Sequence, residues 1–451
     1  MRNAVIALSL LLTASANAEQ RLGTIAFPNS GKAEAQAAFL RGVALLHNFA
    51  YPQAAKAFQE AEAIDPNFAL AYWGEAMTHN HPLWYQFDKD GGRAALAKMT
   101  TKPSDAREHG YLDAVEALYG DASDRNIAYE KAMERLARAN PGDFEAQAFW
   151  ALSILGTKGR TETDPRKQIR AAAILEPLFA AHPDHPGVLH YLIHAYDDPV
   201  HAPLGLRAAR RYSKVASDAP HALHMPSHIF LQLGMWEDAA HSNEAAYALS
   251  KQWSEPDYHS LEWLEYVYLQ QGRFAEARKL VDETAKGEGE GERYHHARGN
   301  MRARYVIESG DWDAFDFADA HDAPSIFARG LQAVAHRNLD EARRAATALK
   351  SIDEKAARPM EDELAAAILD AKGRAADAIS KYQDAVGDES YLGTPSGPPD
   401  DIKPAHEALG EALLRAGKAK DAAKAFGESL LRTPNRRLSL AGAAKAGSAR
   451  D

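Results

Sequence analysis

Histidine is the residue type whose number and spacing in this sequence could do chemistry. Nine of the nineteen histidines fall between His182 and His241. Within that stretch, His190 and His194 are four residues apart in VLHYLIHAY, which has the pattern of a helix. This spacing places both rings on one helix face, where two imidazole nitrogens can reach one metal ion at about 2 Å. The pair is therefore a candidate metal-binding element.

A second group of histidines lies in PHALHMPSHIF, which contains His221, His224 and His228. Pro226 is expected in the first turn of a helix, because an interior proline would remove a backbone hydrogen bond and clash with the preceding turn. His228 then belongs to that helix, and His224 belongs to the loop or cap just before it. His259 opens a further helix in DYHSLEW.

The elements that must position these rings follow a helical repeat. In AQAAFLRGVALLHNFAYPQAAKAFQEAEAIDP, Gly42, Phe58 and Pro66 occupy the small, aromatic and proline positions of a tetratricopeptide repeat of about 34 residues. Near the other end, HEALGEALLRAGKAKDAAKAFGESLLRTP places Gly410 and Phe426 in the same way. Weaker copies lie between them, and no stretch alternates as a strand would. The sequence therefore predicts an all-α, right-handed α-solenoid of roughly ten helix pairs.

Five blocks of the chain resemble a group of exported bacterial tetratricopeptide-repeat proteins. The blocks are HNFAYPQAA, DPNFALAYWGEAMTHNHPLW, HYLIHAYDDP, HALHMPSHIF and LLRTPNRRLSL. The resemblance implies the solenoid fold and the binding of partners along its concave face. The resemblance indicates the fold and does not identify a substrate.

The repeat register predicts which side chains face that concave groove. In such solenoids the first helix of each pair lines the groove, and the histidines of three neighbouring repeats fall at or near its groove-facing positions. Glu262 and the Asp197–Asp198 pair are candidates either as direct ligands or as acceptors that orient the rings from behind. His47, His79 and His81 could face the rings across the superhelix. The predicted ligand-binding groove comprises His190, His194, His224, His228, His259, Glu262 and Tyr191.

Three uses of these rings stay open at the level of sequence. The first is a groove that binds a protein, peptide or small ligand. The second is the site of a metal-binding protein or metalloenzyme, formed by His190, His194, His224, His228 and His259. Because the chain has no cysteine, such a site would suit zinc, copper or iron. The third is purely structural capping and packing, which is the expectation for His182 and His185. No HExxH, GxxxxGK[ST] or GxSxG motif is present, so no enzymatic activity is predicted.

The start of the chain predicts export. MRNAVIALSLLLTASANAEQ has the pattern of a secretory signal peptide that is cleaved after Ala18, which predicts a periplasmic protein. Its apolar run is too short for a permanent membrane span, and no stable membrane insertion is expected. The 52 basic and 63 acidic residues give a net charge of -11, which argues against nucleic acid as a partner.

The sequence divides into four predicted regions. They are a signal peptide (1–18), a lead-in (19–34), the solenoid (35–438) and a disordered tail (439–451). The solenoid is interrupted by a Pro/Gly-rich connection over 386–404, a length that is often functional in a compact fold.

Overall fold

The structure is a computed structural model that describes residues 20–159, 162–286 and 292–448. The predicted signal peptide lies outside the described residues. Within the described ranges the chain is almost entirely helical, which confirms the all-α prediction. Across these same ranges, no helix has both the length and the apolar character needed to cross a membrane.

The helices follow one another along the chain with short connections. The first eight are α1 (Gln36–His47), α2 (Tyr51–Ile64), α3 (Ala69–Met77), α4 (Lys89–Ala97), α5 (Ala106–Tyr119), α6 (Arg125–Ala139), α7 (Phe144–Leu155) and α8 (Arg166–Ala181). The next eight are α9 (Pro186–Ala195), α10 (Ala202–Val215), α11 (Pro220–His224), α12 (Pro226–Gln232), α13 (Trp236–Gln252), α14 (Tyr258–Gln270), α15 (Phe274–Lys286) and α16 (Glu292–Ser309). The last seven are α17 (Ala323–Ala335), α18 (Leu339–Lys350), α19 (Ala357–Ala371), α20 (Ala375–Ser390), α21 (Ala405–Arg415), α22 (Ala419–Arg432) and α23 (Arg437–Ser448).

Small residues let the helices of a pair approach closely, as the repeat pattern predicts. A Cβ atom at Gly42 of α1 would lie 2.8 Å from the ring of Phe58 on α2. The same relation recurs at the other end, where a Cβ at Gly410 would lie 2.9 Å from Phe426. Each helix packs on its sequence neighbours to form a continuous stack. The predicted α-solenoid with tetratricopeptide-like helix pairs is confirmed.

One insertion departs from the helical repeat near the N-terminal end. A two-stranded antiparallel hairpin, β1 (Asn80–His81) and β2 (Gln86–Phe87), follows α3. Helix α4 follows the hairpin, and the side chain of Asp88 caps its start.

The first repeat folds back onto the middle of the chain. The side-chain amide of Asn48 donates to the Leu22 carbonyl at 2.9 Å, and Tyr212 of α10 donates its hydroxyl proton to the Asn48 Oδ1 atom at 2.8 Å. Helix α1 also packs directly on α9. This contact brings the end of α1 next to the helices that carry the central histidines.

The predicted disordered tail is ordered up to Ser448 and forms most of α23. Its small residues allow close packing, since a Cβ at Gly442 would lie 2.2 Å from the Phe426 ring. Ser439 is buried and donates to the Glu407 carboxylate at 2.6 Å. The Ala- and Gly-rich composition that suggested disorder therefore serves helix packing instead.

The end of the array also touches its centre. Arg437 at the start of α23 donates its backbone N–H to Gln270 of α14 at 3.0 Å. Trp236 of α13 donates its indole N–H to the Asn435 carbonyl at 3.2 Å. The described solenoid thus curls until its last helices support the helices of the histidine-rich region.

Candidate functional site

Helix α9 carries the first histidine pair and has a well-defined start. His185 is its N-cap, and the His185 Nδ1 atom accepts the backbone N–H of Val188 at 3.2 Å. Pro186 occupies the first turn, where its fixed φ angle suits a helix and its missing N–H is not needed. His190 and His194 consequently stand one turn apart on a buried helix.

Three imidazoles meet at the end of this helix, and we call them the first cluster: His190, His194 and His221. The Nε2 atom of His190 lies 3.1 Å from the Nε2 atom of His194 and 3.1 Å from the Nε2 atom of His221. Nitrogens that each lie about 2.0–2.1 Å from one tetrahedral ion are about 3.4 Å apart. The spacing in the first cluster is therefore close to that of a three-histidine metal site.

The tautomer of His190 is determined by its other nitrogen. The Nδ1 atom lies 2.7 Å from the backbone carbonyl oxygen of His47, which can only accept, so Nδ1 carries the proton. In a neutral ring Nε2 then has a single in-plane lone pair, which is approached by two nitrogens, those of His194 and His221. One lone pair can accept one well-aligned hydrogen bond, so hydrogen bonding alone does not satisfy both contacts.

A second set of three rings lies beside the first, and we call it the second cluster: His224, His228 and His259. The Nε2 atoms of His224 and His228 are 3.1 Å apart. The ring of His259, at the start of α14, lies 4.8 Å from that of His224, centroid to centroid. One nitrogen from each ring lies within 4.8 Å of the other two.

Two polar side chains orient the second cluster from behind. His224 Nδ1 donates to the Asn243 Oδ1 atom at 2.7 Å, and the Asn243 amide group donates to the Ala239 carbonyl at 2.9 Å, which fixes the amide orientation. The carboxylate of Asp197 lies 2.7 Å from His228 Nδ1. A carboxylate behind a histidine whose other nitrogen faces outward is the usual arrangement around metal-binding imidazoles.

Burial disfavours the charged form of several of these rings. It lowers the pKa of His190, His194, His221 and His228 well below the usual value, and the positive charge of neighbouring protonated rings would lower each pKa further. Burial also raises the pKa of Asp197 to about 8. Neutral imidazoles present lone pairs, which is the form that binds a metal ion.

A third cluster, His47, Glu145 and His185, is fully buried. Glu145 accepts from His47 Nε2 at 2.8 Å and from His185 Nε2 at 3.1 Å. The remaining nitrogens bond the Tyr191 hydroxyl and the start of α9. Burial raises the pKa of Glu145, but its interactions with His185 and His47 outweigh that effect and lower it to about 2. Every polar atom of this cluster has a partner within the protein.

Aromatic side chains form the walls around the first two clusters. The Trp263 ring lies 4.3 Å from that of His228 and 5.0 Å from that of His224. The Phe49 ring lies 4.3 Å from that of His190, and Phe49 has a positive φ of 54° that bulky residues rarely adopt. These walls exclude water from one side of the rings.

The long connection between α20 and α21 reaches the second cluster. A Cβ at Gly397 would lie 2.5 Å from the Trp263 ring, so this loop is pressed against the indole. The side-chain amide of Gln232 donates to the Pro395 carbonyl at 2.7 Å and to the Asp197 carboxylate at 3.3 Å. The segment predicted over 386–404 therefore packs against residues that surround the second cluster.

The structure places the predicted groove residues in three different environments. All five histidines predicted as metal ligands lie in the two clusters. Glu262 instead pairs with Arg304 at 2.7 Å, and the Tyr191 hydroxyl lies 2.8 Å from His47 Nδ1. Both side chains are buried away from the ring nitrogens that converge.

Four residues of the three clusters were not among the predicted ligands. His221 completes the first cluster, and its i, i+3 spacing from His224 was the available sequence signal. The other three, His47, His185 and Glu145, form the third cluster. Glu145 has no such signal, because it is the only carboxylate in helix α7. His81, expected to face the cluster, stacks on Tyr51 with 3.8 Å between centroids, and Tyr51 lies in the aromatic wall beside Phe49.

Comparison with known proteins extends only to the fold. No family model and no curated protein matches the chain. The Cut9–Hcn1 hetero-tetramer of APC/C is similar at 12% identity over 93% of this chain and 78% of that chain, with a TM-score of 0.39. A tetratricopeptide repeat protein from Parabacteroides merdae is similar at 12% identity over 75% and 99%, with a TM-score of 0.30. Human IFIT1 dimer with m7Gppp-AAAA is similar at 14% identity over 93% and 91%, with a TM-score of 0.37.

At these TM-scores the solved structures carry no argument about ligands or partners. The tetratricopeptide-like assignment rests on the helix pairs themselves, and the candidate function rests on the histidine clusters.

Proposed function

We propose that this chain is an exported, periplasmic helical-repeat protein that binds transition metal ions through the first and second clusters. The proposal of export rests on the signal-peptide pattern of residues 1–18. The proposal of metal binding rests on the geometry of the histidine side chains. We propose binding and assign no reaction.

One observation carries the metal-binding proposal. The His190 Nε2 atom has one lone pair, because Nδ1 donates to the His47 carbonyl, yet two imidazole nitrogens lie 3.1 Å from it. A metal ion placed between the three rings would accept a lone pair from each. The backbone carbonyl behind His190 would then hold the ring in the tautomer that coordination requires.

A groove that binds a peptide through these same rings is less well supported. His190 and His224 are 0% exposed and His228 is 8% exposed, so a peptide has little access to them. Their Nε2 atoms point at other histidines. The helical-repeat fold suits a scaffold for protein partners, but no observation at the two clusters favours a peptide over a metal ion.

The donor atoms narrow the choice of metal. Each cluster offers three imidazole nitrogens, and among the described residues no carboxylate belongs to either set. Imidazole suits zinc and copper, whereas the common non-haem iron site adds a carboxylate ligand. Of the three metals predicted from the sequence, zinc and copper fit the donor set best.

Metal analysis of tag-free protein tests the proposal. After chelation and reconstitution with Zn²⁺ or Cu²⁺, elemental analysis should find about two equivalents, one for each three-histidine set. His190→Ala should lose the ion of the first cluster. His241→Ala is the matched control, because His241 is 69% exposed and pairs only with Glu237. Failure of the wild-type protein to retain any metal would overturn the proposal.

A further inference from the structure

The two clusters lie side by side. Within the first cluster, the His190 ring lies 4.9 Å from those of His194 and His221, centroid to centroid. Within the second, the His224 ring lies 5.0 Å from that of His228. The shortest distances between the clusters are longer than these but shorter than the longest ring distance within the second cluster.

Two ring contacts cross from one cluster to the other. His194 of α9 lies 5.8 Å from His228 of α12, centroid to centroid, and His221 lies 6.0 Å from His224 within α11. For comparison, His228 and His259 of the same cluster are 6.3 Å apart. The six imidazoles therefore form one continuous shell supplied by α9, α11, α12 and α14.

We infer that this shell holds two copper ions as one dinuclear centre, with a small anion from solvent as the bridge between them. The inference rests on the proposed metal-binding function and specifies its form. Ions that share such a shell are typically about 3.5–4 Å apart, a distance that one oxygen atom can bridge.

The charges of the shell are the reason for a bridging anion. All six proposed ligands are imidazoles, which bind a metal ion through an uncharged nitrogen, and the carboxyl group of Asp197 lies behind His228 rather than among the converging nitrogens. Two Cu²⁺ ions would thus bring four positive charges with no anionic protein ligand. A bound water loses a proton readily under these conditions, which supplies hydroxide as the bridge.

Solvent can reach the shell on one side. His259 is exposed, and His194 and His221 are half-buried, whereas the other three rings are buried against the helices. The solvent-accessible side of the shell is therefore formed by ligands of both clusters. A bridging anion would enter from this side.

The third cluster does not extend this centre. Both carboxylate oxygens of Glu145 are bonded to histidine Nε2 atoms, those of His47 and His185. The lone pairs and protons of this cluster are matched, so it offers no vacant ligand set.

Electron paramagnetic resonance of the copper-loaded protein tests the inference. Two Cu²⁺ ions bridged by one oxygen couple antiferromagnetically, so the spin count should fall far below the copper found by elemental analysis. Azide, a small anion that can replace hydroxide, should give a charge-transfer band that requires both ions. A spin count equal to the copper content would show isolated ions and overturn the inference while leaving metal binding intact.

Removing one ion should restore the signal. Protein loaded with copper and zinc in equal amounts needs no mutation and should show isolated Cu²⁺ in its mixed-metal fraction. His259→Ala, at an exposed position, should retain copper in the first cluster with a full spin count, and His241→Ala should behave as wild type. Retention of a single equivalent by the wild-type chain would also overturn the dinuclear inference, whereas retention of no metal would overturn the proposed function itself.

Discussion

The first and third clusters both meet at His47 but satisfy their nitrogens in opposite ways. In the third cluster, the His47 side chain and His185 both reach one carboxylate, that of Glu145, at 2.8 and 3.1 Å. In the first cluster, only the His47 carbonyl takes part, and the His190 Nε2 atom faces two other imidazoles at 3.1 Å. Every nitrogen of the third cluster has a matched partner, whereas in the first cluster one lone pair of His190 faces two imidazole nitrogens.

The difference shows how a structural histidine can be separated from a metal-binding one. Burial does not distinguish them, since His47 and His190 are both 0% exposed. The partner of the second ring nitrogen distinguishes the two kinds of histidine. A buried imidazole that finds a carboxylate has its hydrogen bonds satisfied, whereas one that finds further imidazoles is a candidate metal ligand.

The largest effect is expected from breaking the third cluster. Glu145→Ala would leave two buried imidazoles without their acceptor, and removal of one partner from a buried pair typically costs about 3–5 kcal/mol. Urea unfolding of metal-free protein at pH 7 measures this loss. Glu237→Ala, at a 73% exposed carboxylate, is the control and should change stability little. A loss below about 1 kcal/mol in Glu145→Ala would mean that the carboxylate does not anchor the fold.

The same carboxylate predicts a pH dependence. The pKa of Glu145 is lowered from 4.5 to about 2 in the folded chain, so ionisation favours the folded state. Its contribution is present above pH 4.5 and is lost as the pH falls towards 2, an effect of about 3 kcal/mol. Unfolding free energies at pH 6 and pH 3 should differ more in the wild type than in Glu145→Ala. Equal differences in the two proteins would count against an anchored carboxylate.

Metal addition should stabilise the protein through the first and second clusters. Free metal at about one hundred times its Kd adds about 2.7 kcal/mol to the unfolding free energy. Thermal unfolding with and without Zn²⁺ measures the shift, which should be smaller in His190→Ala and unchanged in His241→Ala. The metal-free His190→Ala protein should lose less stability than Glu145→Ala. The reverse order would remove the distinction between the clusters.

A smaller effect, on metal affinity, is expected from changing the residue that contacts His228 on the side away from the other rings. Asp197→Asn replaces the carboxyl group that contacts His228 Nδ1 at 2.7 Å with an amide, and loss of such outer partners typically changes metal affinity about 10–100-fold. Competition with a chromogenic chelator measures the affinity. Asp198→Asn is the matched control, because Asp198 bonds His201 at 2.7 Å and not the cluster. Equal losses in both variants would point to a general change in the loop.

The fold could be predicted in outline because its signals are local and repeated. Gly42 against Phe58 and Gly410 against Phe426 recur wherever two helices cross closely. The ordered helix over Arg437–Ser448 was missed, since small residues such as Gly442 have low local helix preference and are helical here through packing. Tertiary contact therefore decided the structure where local preference was weak.

Only the features of the site that depend on residue spacing within one helix could be predicted from the sequence. His190 and His194 form a pair through helical spacing alone, and Pro226 correctly places the start of α12. His221 joins them because α11 ends near α9, a relation that depends on the curvature of the whole array. Glu145 acts through a contact between helices α7 and α1. Its partner there, His47, lies 98 residues earlier in the chain.

The hydrogen bond of Gln232 joins two parts of the site that are synthesised at different times. Its partner, the Pro395 carbonyl, lies 163 residues later in the chain. Synthesis proceeds from the N-terminus, so all six histidines emerge before the loop that packs against Trp263. Under the proposed function, a metal ion could bind the six rings before the last repeats pack against the site.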